Sequence, residues 1–286
     1  MTADMNRQLL EPGLYFVATP IGNARDITLR ALDILANADV LAAEDTRSLR
    51  RLLEIHGVSL NGRRVVAYHD HNGKQARPGL LRALADGKSV AYASEAGMPL
   101  VSDPGYSIAK AALEADIMVT SAPGASAVLA AVTVSGLPTD SFTFAGFAPT
   151  KASGRRTFLG QFSSVPGTLV LFESPRRVSA LLQSCEEVFG QRDAAVCREL
   201  TKKFEEVRRG TLGSLRESVE SDPLKGEVVV CIAPGQTESD PAQIEEFLRA
   251  TLETETVKTA AAQVSETFGI PKRDAYQLAL KIRDET

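Results

Sequence analysis

The stretch LYFVATPIGN, residues 14–23, joins a run of apolar residues to a tight turn. An uninterrupted apolar run of this length is typical of a strand that is buried on both faces of a sheet. Pro20 and Gly22 then favour a turn in which a ligand can approach the backbone. The turn lacks the glycine spacing of the common dinucleotide- and phosphate-binding loops, so the sequence does not indicate those ligand classes.

Similar apolar runs recur along the first half of the chain, and segments of helical periodicity separate them. The predicted strands of this half are residues 14–18, 40–43, 64–68, 89–93 and 117–121. Strands that alternate with helices predict an α/β unit with a mainly parallel sheet. We expect Asp26 to cap the first helix and Gly57 to end the second.

After Gly136 and Pro138 the pattern changes to an alternating one, which includes Phe142, Phe144 and Phe147 and indicates a second sheet. Its further predicted strands are residues 168–172, 194–198, 206–211 and 227–233. The last part of the chain is helical in pattern, and a short turn at residues 269–271 is similar to that of a helix-turn-helix. We therefore predict an α/β protein with two lobes, residues 13–137 and 138–234, and a small helical segment, residues 240–286.

The composition is that of a globular protein that buries a core, with 286 residues, 44% hydrophobic and 24% charged. Three widely spaced cysteines favour neither a disulfide framework nor a zinc site, and they suit a reducing compartment. The most apolar stretch, residues 125–134, is shorter than the roughly 20 residues of a membrane span. We predict a cytoplasmic protein with no metal site and no membrane partner.

Charge is distributed unevenly, although the formal net charge is only −4. Residues 47–77 contain seven basic and two acidic residues, and residues 151–177 contain five basic and one acidic. Such segments suit contact with a phosphate backbone, and solvated helix faces are the alternative interpretation. Residues 240–286 contain six basic and nine acidic residues, which favours packing or protein contact over the reading of DNA. No DNA partner is predicted.

Polar residues follow several predicted strands, where ligands bind in open α/β sheets. The segments are EDTR at residues 44–47, HDHNG at 69–73, the long turn at 94–105 and APGASA at 122–127. Instead of binding a ligand, Asp45 or Thr46 could cap the helix that follows. The alternative for the histidine segment is a solvated polar loop. The second lobe adds FESPRR at residues 172–177 and RELTKKFEE at 198–206. The alternative to a ligand-binding role for the latter segment is an exposed, ion-paired hairpin. Together these loops predict a cleft.

Five of these motifs resemble those of the ribosomal RNA small-subunit methyltransferase I family. They are VATPIGN at residues 17–23, AEDTR at 43–47, YHDHN at 68–72, SDPG at 102–105 and RELTK at 198–202. The resemblance extends over about residues 13–233, and the helical segment is similar to that family's C-terminal helix-turn-helix. It implies the tetrapyrrole-methylase fold and S-adenosylmethionine bound between the lobes. It also implies 2′-O-methylation of the ribose of cytidine 1402 in 16S rRNA of the small ribosomal subunit, by a homodimer.

The resemblance also implies the site residues. It predicts cofactor contacts from Pro20, Ala96, Gly97, Met98 and Ser126 in the first lobe, and from Glu173, Ser174, Arg198 and Glu227 in the second. For the base that accepts the hydroxyl proton, we expect Asp45 or His69. Arg47 and Asn72 are expected to hold the nucleotide, and Lys202 to lower the pKa of the hydroxyl electrostatically.

The chain departs from the family motif Ser-Asp-Ala-Gly-Thr-Pro at two positions, Glu95 and Met98. We expect this loop to hold the cofactor through its backbone, so that both changes are tolerated. Three other functions are weighed against rRNA methylation. They are carbon methylation of a tetrapyrrole by the same fold, a non-catalytic ribosome-binding module and, with less support, a nucleotide hydrolase.

Overall fold

The computed structural model describes residues 9–69, 71–101, 105–235, 241–268 and 270–284. Asp70 and residues 102–104, which belong to two of the motifs, lie outside the described residues. The chain divides into two compact units. The first comprises the chain up to Phe162 together with Gly167–Ala233, and the second comprises Ser163–Pro166 and the chain from Pro234 onward.

The first unit contains two sheets, and the one formed by the first half of the chain is parallel throughout. Its strands are β1 (Gly13–Val17), β2 (Val40–Ala43), β3 (Val65–Ala67), β4 (Ser89–Ala93) and β5 (Val119–Ala122). They lie in the order β3-β2-β4-β1-β5, with β1 paired to β4 and β5. All their carboxyl ends therefore meet at one edge, as the alternating pattern predicts.

Helices cover both faces of this sheet. They are α1 (Leu29–Asn37), α2 (Thr46–Ile55), α3 (Gly73–Ala85) and α4 (Tyr106–Glu114). Tyr15 and Val17 pack with α1 and α2, whereas Leu14 and Phe16 pack with α3 and α4. Successive side chains of a strand point to opposite faces, so an apolar run is needed when both faces are covered.

The beginning of α1 differs from the prediction. Thr28, not Asp26, caps the helix, and its hydroxyl oxygen accepts a hydrogen bond from the Ala31 N–H at 3.1 Å. The Asp26 N–H instead donates to the Asn23 carbonyl in the turn before the helix. Asp26 therefore belongs to a turn that delays the helix by two residues. Gly57 follows α2 with φ +67°, as expected of a residue at a helix end.

The second sheet is mixed. Its strands are β6 (Phe142–Phe147), β7 (Thr168–Glu173), β8 (Asp193–Arg198), β9 (Glu206–Thr211) and β10 (Val228–Ile232), in the order β6-β7-β10-β8-β9. Only β6 and β7 pair in parallel among them. One face packs against α6 (Ala152–Gly160), α7 (Val178–Phe189) and α8 (Leu212–Ser221). The other packs against α5 (Ala127–Ser135), which precedes this sheet in the chain.

The second unit is helical and has its own core. Its helices are α9 (Pro241–Leu252), α10 (Val257–Phe268) and α11 (Lys272–Asp284). Leu248, Val264 and Ala279 are fully buried among them. Gly269 of the predicted turn lies outside the described residues. In the part of the chain that the structure describes, no helix is long and apolar enough to cross a membrane.

Candidate active site

The loops after β1 and β4 are joined into one wall. The Thr19 N–H donates to the Gly97 carbonyl at 3.0 Å, and the Gly97 N–H donates back to the Thr19 carbonyl at the same distance. The Thr19 hydroxyl donates to the Ser94 carbonyl at 3.2 Å. Gly97 has φ +79°, a conformation that glycine adopts without strain. The two motifs are therefore held together through the backbone.

The loop after β1 also contacts the loop after β8. The Asn23 N–H donates to the Thr201 hydroxyl oxygen at 3.1 Å. A Cβ atom on Gly22 would lie 2.8 Å from that oxygen and closer still to Cγ of Lys202. Only glycine leaves room for this approach, so Gly22 allows the edges of the two sheets to meet.

A cavity of about 820 Å³ lies at the carboxyl edge of the first sheet. We call it the first cavity; its lining residues are Thr19, Pro20, Ile21, Gly22, Ala24, Glu44, Asp45, Arg47, Ser48, Leu49, Arg51, Leu52, Ile55, Ser94, Glu95, Ala96 and Glu227. Helix α2 supplies one wall, in which Arg47, Arg51 and Ile55 follow one another at the four-residue spacing of a helix face. This wall is cationic at one end and apolar at the other.

Asp45 caps α2 at the edge of the first cavity. Its carboxylate accepts from the Arg47 N–H at 2.7 Å, from the Ser48 N–H at 3.2 Å and from the Arg47 guanidinium at 3.1 Å. The hydrogen bond from the Arg47 side chain, followed by the two backbone bonds, lowers the pKa of Asp45 to about 2. The cap that was the alternative interpretation of this segment is thus the observed role.

A second cavity of about 390 Å³ adjoins the first. Its lining residues are Ile21, Ala96, Gly97, Met98, Val101, Ser126, Ala127, Val128, Phe147, Phe172, Glu173, Ser174, Pro175, Gly226, Glu227, Val228 and Val229. Phe147 and Phe172 form an edge-to-face pair with ring centroids 5.6 Å apart. Ser126 caps α5, since its hydroxyl oxygen accepts from the Leu129 N–H at 3.4 Å. This cavity is mostly apolar.

Glu173 is a buried carboxylate beneath the second cavity, with a side chain that is 0% exposed. It accepts from Nε and Nη2 of Arg177 at 2.7 and 2.9 Å and from the Ser174 N–H at 2.7 Å. The hydrogen bond to Glu173 raises the pKa of Arg177, despite the opposing effect of burial. The carboxylate is therefore occupied in fixing the turn that carries Ser174.

Three residues, Ile21, Ala96 and Glu227, line both cavities. Nζ of Lys202 donates to Oε2 of Glu227 and to Oε1 of Glu199, each at 2.9 Å. Burial opposes the charge of Lys202, but these hydrogen bonds outweigh it and raise the pKa of the ammonium. The hydrogen bond from Lys202 and one from the Glu227 N–H lower the pKa of Glu199. The junction of the cavities is thus a charged, hydrogen-bonded cluster.

Most of the predicted cofactor residues line the second cavity, namely Ala96, Gly97, Met98, Ser126, Glu173, Ser174 and Glu227. Pro20 differs, because it lines the first cavity. Arg198 lines neither cavity. Its Nε lies 2.9 Å from Oε2 of Glu206, an ion-pair distance, although the N–H is not aligned for a hydrogen bond. The structure therefore gives Arg198 a role in joining β8 to β9.

The predicted catalytic residues do not all line a cavity. Asp45 and Arg47 line the first cavity, whereas His69, Asn72 and Lys202 line neither cavity. The Asn72 side chain accepts from the His69 N–H at 2.8 Å and donates to the Ala67 carbonyl at 2.9 Å. Its amide closes the loop after β3, which leaves it occupied rather than available to a nucleotide. Nδ1 of His69 is buried and has no hydrogen-bond partner among the described residues.

Glu95 and Met98, the two departures from the family motif, face different cavities. Glu95 is exposed and lines the first cavity, whereas Met98 is half-buried and lines the second. Between them, the backbone of Gly97 makes the bridge to Thr19. That the cofactor is held through this backbone stays a prediction.

Sequence reasoning missed Arg51, Ile55, Phe147 and Phe172 as lining residues. The four-residue spacing from Arg47 to Arg51 and Ile55 was the available signal for the first two. Nothing in the sequence shows that Phe147 faces a cavity, because a bulge after Phe144 changes the side to which the strand points.

The two basic segments are less cationic at the surface than their composition indicates. Arg63 donates to the Ala38 carbonyl at 2.6 Å, and Arg155 is buried against the Ser184 hydroxyl. Arg156 is paired with Glu187 at 3.1 Å. Arg47 and Arg51 of the α2 face are also ion-paired, with Asp45 and Glu54, but their side chains are 90% and 69% exposed. This face is therefore the part of these segments best placed to meet a polyanion.

Comparisons with known proteins agree with this architecture. The family model described as "Tetrapyrrole (Corrin/Porphyrin) Methylases" matches residues 13–216, and the model described as "RsmI C-terminal HTH domain" matches residues 238–283. A solved cobalt precorrin-4 methyltransferase is similar, with a TM-score of 0.56 and 18% identity, over 77% of this chain and 94% of that one. A uroporphyrin-III C-methyltransferase from Thermus thermophilus, complexed with S-adenosylhomocysteine, has a TM-score of 0.54 and 19% identity, over 77% and 97%. These structures show the fold.

Curated relatives are much closer in sequence. Ribosomal RNA small subunit methyltransferase I of Mesorhizobium japonicum is 48% identical over 96% of this chain and 94% of its own length. The protein of the same name from Mycobacterium tuberculosis is 41% identical over 94% and 95%. With that identity over nearly the whole chain, the family prediction is confirmed: this chain belongs to the ribosomal RNA small subunit methyltransferase I family.

Proposed function

We propose that this chain methylates the 2′-oxygen of the ribose of cytidine 1402 in 16S rRNA of the small ribosomal subunit. At the coarser level, it is an S-adenosylmethionine-dependent rRNA methyltransferase. The 2′-oxygen and cytidine 1402 follow the role of the family, and the single structural observation that supports transfer to RNA is the pair of adjoining cavities. One cavity is mostly apolar, the other has a cationic wall, and they share Ile21, Ala96 and Glu227. A methyl group that passes from a donor to a polyanionic acceptor needs two such adjoining sites.

The second cavity fits the cofactor. Its volume of about 390 Å³ lies within the range of roughly 300–1,000 Å³ that is usual for small-molecule sites. Phe172, Val128 and Ile21 offer apolar surface to an adenine. When bound, S-adenosylmethionine supplies a methyl group on a positively charged sulfur.

The first cavity suits the nucleotide. The α2 wall carries Arg47 and Arg51, which match phosphate, and the apolar Ile55, which matches the face of a base. Arg47 is itself held by Asp45, so its guanidinium is oriented before RNA binds. We propose that Arg47 holds a phosphate, as the resemblance implies, and that Arg51 shares this role.

The chain's main contribution to the transfer is alignment and the exclusion of water. The Thr19–Gly97 bridge and the close approach at Gly22 fix the loops between the cavities, and a fixed approach of the reacting atoms removes much of the entropic cost. Asp45 is a weak proton acceptor, because its pKa is about 2. His69, the other residue expected as the base, lines neither cavity. A cytoplasmic location and a homodimer remain proposals.

The test is mass spectrometry of 16S rRNA from cells with and without this chain. We expect the loss of one ribose methyl at cytidine 1402, restored when the wild-type chain is expressed again. A loss of a methyl from a base, or from another position, would contradict the proposal. An unchanged rRNA, together with binding to small subunits, would favour the non-catalytic module, and methylation of a tetrapyrrole in vitro would favour the other enzyme.

A further inference from the structure

Among the described residues, one ionisable side chain lines both cavities. Of the three residues that line both cavities, Ile21 and Ala96 are apolar, and only Glu227 can exchange a proton. A methyl group that moves from the second cavity to the first has to cross this junction. Any base that accepts the proton of the attacking hydroxyl must be within hydrogen-bond reach of the same point.

Lys202 orients the carboxylate of Glu227 through one oxygen and leaves the other oxygen without a hydrogen bond in the described region. Lys202 holds Oε2 at 2.9 Å, while the side chain as a whole is 75% exposed toward the cavities and solvent. In the region that the structure describes, no hydrogen bond reaches Oε1 of Glu227. One oxygen is therefore anchored, and the other is open to a ligand.

The other carboxylates near the cavities are less suitable. Asp45 accepts from two backbone N–H groups and a guanidinium, and Glu173 is buried in its pair with Arg177. Glu199 does not line either cavity, and its Oε1 is bound to Lys202. Glu44 and Glu95 line the first cavity alone. Among the residues that the structure describes, only Glu227 combines an open oxygen with a place at the junction.

We propose that Glu227 is the catalytic base of the transfer and that Lys202 is its positioning residue. In this step the 2′-oxygen forms a bond to the methyl carbon, whose bond to sulfur breaks with both electrons left on sulfur, while Glu227 receives the hydroxyl proton. The inference rests on the proposed function, because it needs a hydroxyl as the acceptor. It replaces the role of cofactor ligand that the resemblance implies for Glu227.

The decisive variant is Glu227→Gln, which keeps the shape and the hydrogen bond to Lys202 but removes the base. General base catalysis contributes about 10²–10⁴-fold, so we expect single-turnover methylation of small subunits to slow by at least about 100-fold. Cofactor affinity by calorimetry and small-subunit affinity by filter binding should each stay within about threefold of wild type. Glu217→Gln, an exposed glutamate on α8 outside both cavities, is the matched control and should behave as wild type in all three assays.

Three outcomes would overturn the inference. The first is a Glu227→Gln variant that methylates within about threefold of the wild-type rate. The second is a loss of cofactor affinity beyond about tenfold, which would make Glu227 a cofactor ligand. The third is a wild-type chain that methylates a base rather than the 2′-oxygen. In that case the proposed function itself fails, and the product analysis of the wild type alone shows it.

Lys202→Met and Lys202→Arg together test the positioning role. We expect Lys202→Met to slow single-turnover methylation, because Oε2 of Glu227 loses the hydrogen bond that orients the carboxylate. Lys202→Arg keeps a cationic donor beside Glu227 and should restore most of the rate, with cofactor affinity within about threefold of wild type in both variants. Equal rates in the two variants would contradict the role.

Discussion

The two cavities differ in the side chains that line them, although they share one wall. The first has charged residues from α2 and from the loops after β2 and β4, and the second has Phe147, Phe172 and a series of small and aliphatic residues. The α2 wall of the first cavity, with Arg47 and Arg51, suits phosphate, whereas the carboxylates Glu44, Asp45, Glu95 and Glu227 line the rest of that cavity. The apolar cavity suits a small ligand that is enclosed. The two cavities share lining residues, Ile21 and Ala96 among them. Variants in each cavity should therefore show which effects on methylation come from cofactor binding and which come from RNA binding.

The largest effect is expected from Glu173→Ala, below the second cavity. Arg177 would lose its partner for two hydrogen bonds, and breaking such a buried pair costs about 2–4 kcal/mol when one partner retains some exposure, as Arg177 does. Urea unfolding measures the loss of stability, and calorimetry should show weaker cofactor binding. Glu187→Ala, which breaks the exposed pair with Arg156, should cost less than about 1 kcal/mol. Equal losses in the two variants would contradict the assignment.

Gly22→Ala should impair both cavities together. The added Cβ would be forced against Thr201 and Lys202, which moves the shared loop by a fraction of an ångström or more. Because misplacement by about 1 Å can cost about 100-fold in rate, we expect a loss of that size in single-turnover methylation. Gly79→Ala, on α3 with no atom within 4 Å of the new Cβ, should leave the rate unchanged. A Gly22→Ala variant of full activity would show that the two loops need not approach so closely.

Arg51→Ala should affect the first cavity alone. We expect weaker binding of small subunits and a slope of log affinity against log salt that is smaller by about 1, with unchanged cofactor affinity. Arg156→Ala removes a similarly ion-paired arginine outside both cavities and should leave the slope unaltered. If both variants lowered the slope equally, the RNA would not be bound through the α2 face.

The smallest effect is expected from Asp45→Ala, which removes the cap of α2. Loss of such a cap costs about 1 kcal/mol at neutral pH. The folded-state pKa of Asp45 is lowered from 3.8 to about 2, so its contribution to stability is complete above pH 4 and is lost as the pH falls toward 2. Urea unfolding at pH 7 and pH 3 should therefore show a smaller difference between variant and wild type at the lower pH. A difference that does not change with pH would refute the charged cap.

Much of the fold could be predicted from local patterns. The apolar run at residues 14–18 became the doubly buried strand β1, and alternation of strands with helices became a parallel sheet. The motifs that carry the resemblance identify the family without any knowledge of the geometry. The cap of α1 was missed because the sequence signal at Asp26 was as strong as that at Thr28, and a hydrogen bond in the preceding turn decided between them.

Individual site residues were harder to predict. Asn72 and Arg198 are polar residues at strand ends, as a ligand site requires, but one closes its own loop and the other pairs with β9. The type of a residue and its position after a strand do not reveal which protein group its side chain binds in the folded chain. For the same reason, Lys202 was expected at the substrate, and its ammonium instead binds Glu199 and Glu227.

The sequence by itself determined the two α/β halves, the helical end of the chain and the family, because the period of apolar residues reports burial and short motifs are local. Only the tertiary structure decided that Gly22, Lys202 and Glu227 meet beside Ala96, since these residues lie far apart in the chain. Their meeting depends on how closely two backbone loops can approach, and that distance is set by the packing of both sheets together.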